Sequence, residues 1–90
     1  MPTIKFTYAL KRFYPGLKEV SIAADTVADV VRKLDEIYPR MSTYIVDERG
    51  ALRKHVNIFI GSTIIEDKIS LADKVRDDDE VYIMQALSGG

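Results

Sequence analysis

Apolar and polar residues alternate along several short stretches of the chain, which is the period expected of strands with one buried side. Residues 3–10 and 54–60 show the alternation most clearly, and a third such stretch spans 80–85. Shorter apolar runs at 17–22 and 63–65 predict a second strand and a short edge strand. The apolar sides of the three longer strands are formed by Ile4, Phe6, Tyr8 and Leu10, by Val56, Ile58 and Ile60, and by Val81 and Ile83.

One stretch has helical spacing instead. Asp25 and Thr26 are candidate N-caps, and Asp29 places an acid in the first turn, where the helix dipole favours negative charge. Pro39 predicts that the helix ends at about Tyr38. The apolar stripe of this amphipathic helix is Val27, Val30, Val31, Leu34 and Ile37.

The remaining connections carry weaker signals. Residues 40–52 have no period, although 41–45 could form a short helical turn and 47–50 a turn. Residues 70–75 suggest one tight helical turn before the last strand. The predicted order is a strand hairpin, one main helix and then more strands. This order predicts an α+β roll, with the helix on one face of a mixed sheet of four to five strands. The first and last strands are expected to lie parallel at its centre.

Length and composition restrict the function. A chain of 90 residues makes one domain. The formal net charge of −1 offers no cationic field for a phosphate backbone, so nucleic-acid binding is not expected. The absence of cysteine excludes disulfides and thiol catalysis and is compatible with a reducing compartment. No apolar signal core or membrane-spanning run occurs, and we expect a cytoplasmic protein with no membrane partner.

The last residues depart from any core pattern. Residues 1–86 are predicted to form the domain, and 87–90 a flexible tail that ends in Gly89 and Gly90. Glycine packs nothing and loses the most conformational entropy in a strand. We therefore expect Leu87, Ser88 and Gly89 to thread into a narrow slot on a partner protein. A flexible stub or a cloning scar would explain two terminal glycines equally well.

The chemistry of such a tail resides in its end group. The α-carboxylate of Gly90 is ionised at neutral pH and must receive a good leaving group, such as the adenylate from ATP, before it can react. Glycine leaves the activated carbonyl unshielded and has no chiral centre to lose.

Three side chains near the tail suggest a docking surface. Phe59, Tyr82 and Met84 fall opposite the β-branched side of their strands, so all three share the open face if the β-branched side meets the helix. Alternatively, a loop covers these side chains, or they are scattered surface apolar residues.

No constellation for catalysis or metal binding is visible. His55 is the only histidine and is interpreted as a solvated strand residue. Residues 77–80 lack the ligand spacing of a calcium loop and are interpreted as an acidic turn. We find no nucleophile–base pair or phosphate loop and expect that the chain is not an enzyme, with no catalytic residue, metal site or bound cofactor.

The strand order, the stretch 75–81 and the terminal Ser88-Gly89-Gly90 resemble the ThiS/MoaD family of sulfur-carrier proteins, which have the β-grasp, ubiquitin-like fold. Residues 53–60 resemble its longer CysO-like branch, which supplies a cysteine synthase. The chain departs from the family at Asp78, where glycine is common, and in the longer stretch 40–52.

The resemblance implies a mechanism and partners. A ubiquitin-activating-type enzyme would adenylate Gly90 with ATP and magnesium bound to that enzyme. Sulfur would replace AMP to give a thiocarboxylate, which a synthase would consume in molybdopterin, thiamine or cysteine biosynthesis. The alternatives are a ubiquitin-like modifier joined to lysines through Gly90, or a non-covalent β-grasp binding module.

Overall fold

The computed structural model of the chain describes residues 1–85. Within them lie five strands and three helices. The strands are β1 (Thr3–Phe6), β2 (Val20–Ser21), β3 (Val56–Ile60), β4 (Thr63–Ile64) and β5 (Glu80–Gln85). The helices are α1 (Tyr8–Lys11), α2 (Val27–Ile37) and α3 (Ser42–Ile45).

The strands form one mixed sheet in the order β2-β1-β5-β3-β4. β1 runs parallel to β5, and the other neighbouring pairs are antiparallel. The predicted parallel pairing of the first and last strands is therefore confirmed. Because β5 lies at the centre, it has a hydrogen-bonded neighbour on each side, and its side chains alternate between the two faces of the sheet.

Helix α2 covers one face of the sheet and supplies much of the core. Thr26 caps it as predicted, its hydroxyl oxygen accepting a hydrogen bond from the Asp29 N–H at 3.2 Å. Ile37 is 49% exposed, so the predicted apolar stripe is one residue too long. At 11 residues α2 is the longest described helix, and no helix within residues 1–85 is long and apolar enough to cross a membrane. The core joins four residues of α2 to alternate residues of the central strands: Val27, Val30, Val31, Leu34, Ile4, Val56, Ile58, Val81 and Ile83.

The first strand is shorter than the alternation of residues 3–10 predicted. β1 ends at Phe6, and α1 follows immediately. Leu10 still reaches the core, at 1% exposure, but from a helical turn. Phe6 and Leu10 are four residues apart, which suits a helix as well as a strand, so the local pattern could not distinguish the two structures.

Two further expectations need correction. Only Val20–Ser21 of the predicted strand 17–22 pairs in the sheet. The helical turn predicted at 70–75 is wrong, because the turn falls at 68–70. The Asp67 carboxylate accepts hydrogen bonds from the N–H groups of Ser70 at 2.8 Å and Ala72 at 3.1 Å. These side-chain bonds take the place of a helical ladder.

Candidate functional site: the open face of the sheet and the root of the tail

The face of the sheet away from α2 carries an apolar patch. Tyr82 lies opposite Phe59 across β5 and β3, and Phe59 lies opposite Ile64 across β3 and β4. Met84 follows Tyr82 on the same side of β5, 43% exposed. Phe59, Tyr82 and Met84 thus share one face of the sheet, as the alternation predicted, and their role as a docking surface stays a prediction. We call Phe59, Ile64, Tyr82 and Met84 the open-face patch.

Ile64 belongs to this patch although the sequence analysis did not include it. It is 39% exposed, whereas the next residue, Ile65, is buried at 2%. The alternation within the predicted edge strand could have assigned Ile64 to the open side. Its contribution extends the patch from the central strand to the edge of the sheet.

A charged network borders the patch on the side of β1. The Lys5 ammonium nitrogen lies 3.0 Å from a Glu80 carboxylate oxygen, and the Tyr82 hydroxyl donates a 3.0 Å hydrogen bond to the other oxygen. The same nitrogen lies 5.4 Å from the centre of the Tyr82 ring. The bond with Glu80 raises the pKa of Lys5, and the bonds from Lys5 and then Tyr82 lower the pKa of Glu80. These contacts fix the position of the Tyr82 hydroxyl at the polar border of the patch.

The end of β5 is held from both sides up to its last described residue. On one side, the Thr7 N–H donates to the Ile83 carbonyl at 3.2 Å, and the Thr7 hydroxyl accepts from the Gln85 N–H at 3.2 Å. On the other side, Val56 lies opposite Gln85. The chain therefore leaves the domain from a fixed point, between the end of β1 and the start of β3. The predicted domain boundary at residue 86 lies outside the described residues, as do the predicted tail residues Leu87, Ser88, Gly89 and Gly90.

The remaining sequence candidates lie apart from the patch. His55 is exposed. The acidic stretch before β5 forms a turn in which the Asp79 carboxylate accepts from the Arg76 N–H at 2.7 Å. Asp78 adopts no positive φ, since among non-glycine residues of the described chain only Arg40 and Leu71 do. Aspartate in place of the family's glycine is therefore free of backbone strain here.

Within residues 1–85, no group of three or more histidine, cysteine or acidic residues could hold a metal ion.

Sequence comparison connects the whole chain to one family. The family model described as the ThiS family matches residues 5–90. A relative, the sulfur carrier protein CysO of Mycobacterium tuberculosis, is 30% identical over 90 residues, which cover 98% of this chain and 97% of the relative. The crystal structure of CysO from Mycobacterium tuberculosis superposes with a TM-score of 0.83 at 28% identity, covering 96% of this chain and 99% of that one.

Two other solved structures extend the likeness beyond mycobacteria. A chain from the crystal structure of the Amycolatopsis orientalis BexX/CysO complex has a TM-score of 0.85 at 20% identity, with full coverage of both chains. The solution structure of the small archaeal modifier protein SAMP1 from Methanosarcina acetivorans has a TM-score of 0.80 at 25% identity, covering 99% of this chain and 95% of that one.

These likenesses agree with the sheet order and the single main helix, and the fold is the β-grasp, ubiquitin-like fold. The family model covers all but the first four residues, and a relative is 30% identical along nearly its whole length. On both grounds, the chain belongs to the ThiS family.

Proposed function

We propose that this chain is a sulfur carrier that presents the α-carboxylate of Gly90 to a partner enzyme for activation. The observation that carries this proposal is the family match, which runs through residue 90 and therefore includes the terminal Ser88-Gly89-Gly90. A relative 30% identical over 90 residues is named a sulfur carrier protein. The fixed root of the tail beside the open-face patch suits a domain that positions its own C-terminus.

Two steps account for the chemistry: a substitution at the α-phosphorus of ATP and then a substitution at the carbonyl carbon of Gly90. The Gly90 carboxylate attacks the α-phosphorus of ATP, and pyrophosphate leaves to give an acyl-adenylate. A sulfide-level donor then attacks the carbonyl carbon, AMP leaves, and the terminus becomes a thiocarboxylate. ATP and magnesium are bound by the activating enzyme, and this chain contributes the reacting terminus. Since the chain has no cysteine, its terminus is the place where sulfur would be carried.

Two partners follow from this chemistry. One is a ubiquitin-activating-type enzyme that adenylates Gly90, and the other is a synthase that consumes the thiocarboxylate. The likeness to proteins named CysO favours a cysteine synthase as the acceptor over the molybdopterin and thiamine enzymes.

The open-face patch is the surface that we assign to docking of these partners. It combines an exposed methionine, two aromatic rings and an edge isoleucine, and its Tyr82 hydroxyl is held by Glu80. Aromatic and methionine side chains are enriched where proteins bind one another. Two of its residues, Tyr82 and Met84, lie on β5, the strand that precedes the tail, so docking there would bring the tail to a defined place on the partner.

Intact-mass spectrometry tests the proposed function. The purified chain is incubated with the activating enzyme of the same organism, ATP, magnesium and sulfide. We expect the mass to rise by the difference between a sulfur and an oxygen atom. Deletion of Gly90, or Gly89→Ala combined with Gly90→Ala, should abolish the change while circular dichroism shows an intact fold.

The matched control is Ile69→Ala, which changes a side chain that is 73% exposed and lies outside the patch. This variant should gain sulfur at the wild-type rate. A mass gain by the Gly90-deleted chain would contradict the assignment of the site.

A protein modifier is the second candidate, favoured by the 25% identity to SAMP1. In that role the activated Gly90 carbonyl would be attacked by a lysine amine, with loss of AMP and formation of an isopeptide. An epitope-tagged chain expressed in its own organism distinguishes the two roles. Conjugates of high mass that disappear on deletion of Gly90 support the modifier, and a free thiocarboxylate without conjugates supports the carrier.

A further inference from the structure

The two ends of β5 differ in charge. In the sheet, β5 lies between β1 and β3, and its C-terminal end lies beside the end of β1 and the start of β3. Lys11 and Arg12 follow β1, and Arg53 and Lys54 precede β3. The stretches that carry these cations therefore lie on the two sides of the end of β5. We call Lys11, Arg12, Arg53 and Lys54 the basic rim.

The cations of the basic rim are available to a partner. Lys11, Arg12 and Lys54 are exposed, and Arg53 is half-buried. Within residues 1–85, no carboxylate oxygen lies within 4.0 Å of a nitrogen of these four side chains. By contrast, Lys5 is paired with Glu80.

Packing fixes the two halves of the rim relative to one another. The Arg53 guanidinium donates to the Thr43 carbonyl at 2.8 Å. The adjacent Tyr44 ring stacks on Phe13 with centroids 4.8 Å apart, and Phe13 directly follows Arg12. The stretch after α1 is thus joined through α3 to the stretch before β3. These contacts hold the two chain segments that carry the rim in fixed positions relative to each other.

One carboxylate lies close to the rim but is already engaged. Asp47 lines a surface groove of about 410 Å³ together with Leu52, Arg53, Lys54 and His55. Its carboxylate accepts from the N–H groups of Arg49 at 2.8 Å and Ala51 at 3.1 Å, and these bonds lower its pKa. Asp47 therefore completes a turn. Its charge also acts on Arg53, but no oxygen of Asp47 lies within 4.0 Å of a cation of the groove.

The opposite end of β5 is acidic. Asp77, Asp78 and Asp79 precede the strand and Glu80 begins it. Glu80 is paired with Lys5, and Asp77 lies 3.7 Å from the N-terminal ammonium, which leaves Asp78 and Asp79 without an ion pair within residues 1–85. The formal net charge of −1 thus conceals a separation of charge along the central strand, with unpaired carboxylates where β5 begins and unpaired cations beside the end of β5. Such a separation orients a molecule as it approaches a charged partner.

We infer that the basic rim docks against an acidic lip around the slot of the activating enzyme that receives the tail. This inference rests on the proposed function and adds the charge of the partner surface and the orientation in which the tail approaches it. The rim would turn the end of the domain that carries the tail toward the activating enzyme, and the acidic end of β5 away from it. Four cations gathered near the end of β5 would complement a ring of acidic residues around one slot of a partner protein. A nucleic acid would require a continuous basic surface, whereas the cations of the rim are confined to one end of the sheet and carboxylates occupy the other end.

Steady-state activation kinetics at different salt concentrations test the rim. Arg12→Glu combined with Lys54→Glu reverses two exposed charges, one in the stretch after α1 and one in the stretch before β3. We expect kcat/KM for thiocarboxylate formation to fall about tenfold to a hundredfold with kcat nearly unchanged, since charge complementarity acts mainly on encounter. Wild-type kcat/KM should fall between about 50 mM and about 300 mM NaCl, and the variant should lose most of this dependence.

The matched control is Lys74→Glu combined with Arg76→Glu, which makes the same change in net charge at exposed positions beside Asp79, just before β5. It should keep kcat/KM within about twofold of wild type if the position of the charge decides the effect. Equal losses in both double variants, or unchanged kinetics in the rim variant, would overturn the inference.

The outcomes separate the rim from the proposed function. If the wild-type chain gains no sulfur, the proposed function fails. If it gains sulfur and the rim variant matches it at every salt concentration, the rim inference alone fails. A gel-shift assay with bulk transfer RNA covers the other class of partner, and a complex that the rim variant abolishes would assign the rim to nucleic acid and overturn the inference.

Discussion

The two faces of β5 show how one strand can serve two purposes. Val81 and Ile83 point into the core and are fully buried, whereas Tyr82 and Met84 point to the open face, with Met84 43% exposed. The neighbouring strands repeat the division, since Ile58 lies opposite Ile83 and Phe59 opposite Tyr82. Stability thus depends mainly on one set of side chains, and the other set can be changed with little effect on the fold.

The largest expected effect comes from the core side of β5. Ile83→Ala removes a fully buried side chain, and we expect it to lower the free energy of unfolding by about 2–5 kcal/mol, measured by urea denaturation. Met84→Ala, one residue along, should change it by less than about 0.5 kcal/mol. Similar losses in the two variants would contradict the division between the faces.

Substitutions on the open face should change the kinetics of activation and leave the stability of the fold nearly unchanged. Met84→Asp places a charge in the open-face patch, and we expect kcat/KM for activation to fall by about tenfold or more because an apolar contact is lost to a solvated carboxylate. Ser21→Asp is the control, because Ser21 is exposed on the same face but at the other edge of the sheet. A comparable loss in the control would show that added charge anywhere on this face is sufficient.

A smaller effect should appear in acid. The N–H groups of Ser70 and Ala72 bind the Asp67 carboxylate and lower its pKa. The stabilisation is present above the ordinary pKa of an aspartate and is lost as the pH falls through the lowered value. Asp67→Asn should reduce stability at neutral pH and flatten its decline below about pH 4, measured by urea midpoints across pH. Asp78→Asn, at an exposed position in the acidic turn, should leave the decline unchanged.

The smallest effect is expected at the border of the open-face patch. Bonds from Lys5 and Tyr82 lower the pKa of Glu80, so its contribution to stability is also present above the ordinary pKa and lost below the lowered one. All three groups are reached by water, which screens the interaction. Glu80→Gln should therefore shift the melting temperature at neutral pH less than Asp67→Asn does. A larger shift would mean that this network stabilises the fold more than an exposed ion pair should.

The sequence predicted the parts of the fold that depend on a regular period. β5 and α2 were predicted because alternation and helical spacing persist over enough residues to distinguish a strand from a helix. α1 was missed because four residues at the end of an alternating run fit either structure. The turn at 68–70 was missed because it depends on one carboxylate that binds several backbone N–H groups, which no period reveals.

The candidate site, like the fold, could be predicted only where it depends on a regular period. Phe59, Tyr82 and Met84 could be assigned to one face from strand alternation alone. The network of Lys5, Glu80 and Tyr82 could not, because it requires the register of β1 against β5. The basic rim likewise depends on topology, since Arg12 and Arg53 are far apart in sequence and are brought to one end of the sheet by the strand order.

The position of the sulfur after activation is the most direct test of the role given to Gly90. Arg76 is the last lysine or arginine of the chain, so trypsin releases residues 77–90 as one C-terminal peptide. Fragmentation of this peptide gives its sequence. A carrier should show the sulfur-for-oxygen mass gain on this peptide alone, and within it on Gly90. A gain on any other peptide, or on an internal residue of this one, would contradict the assignment.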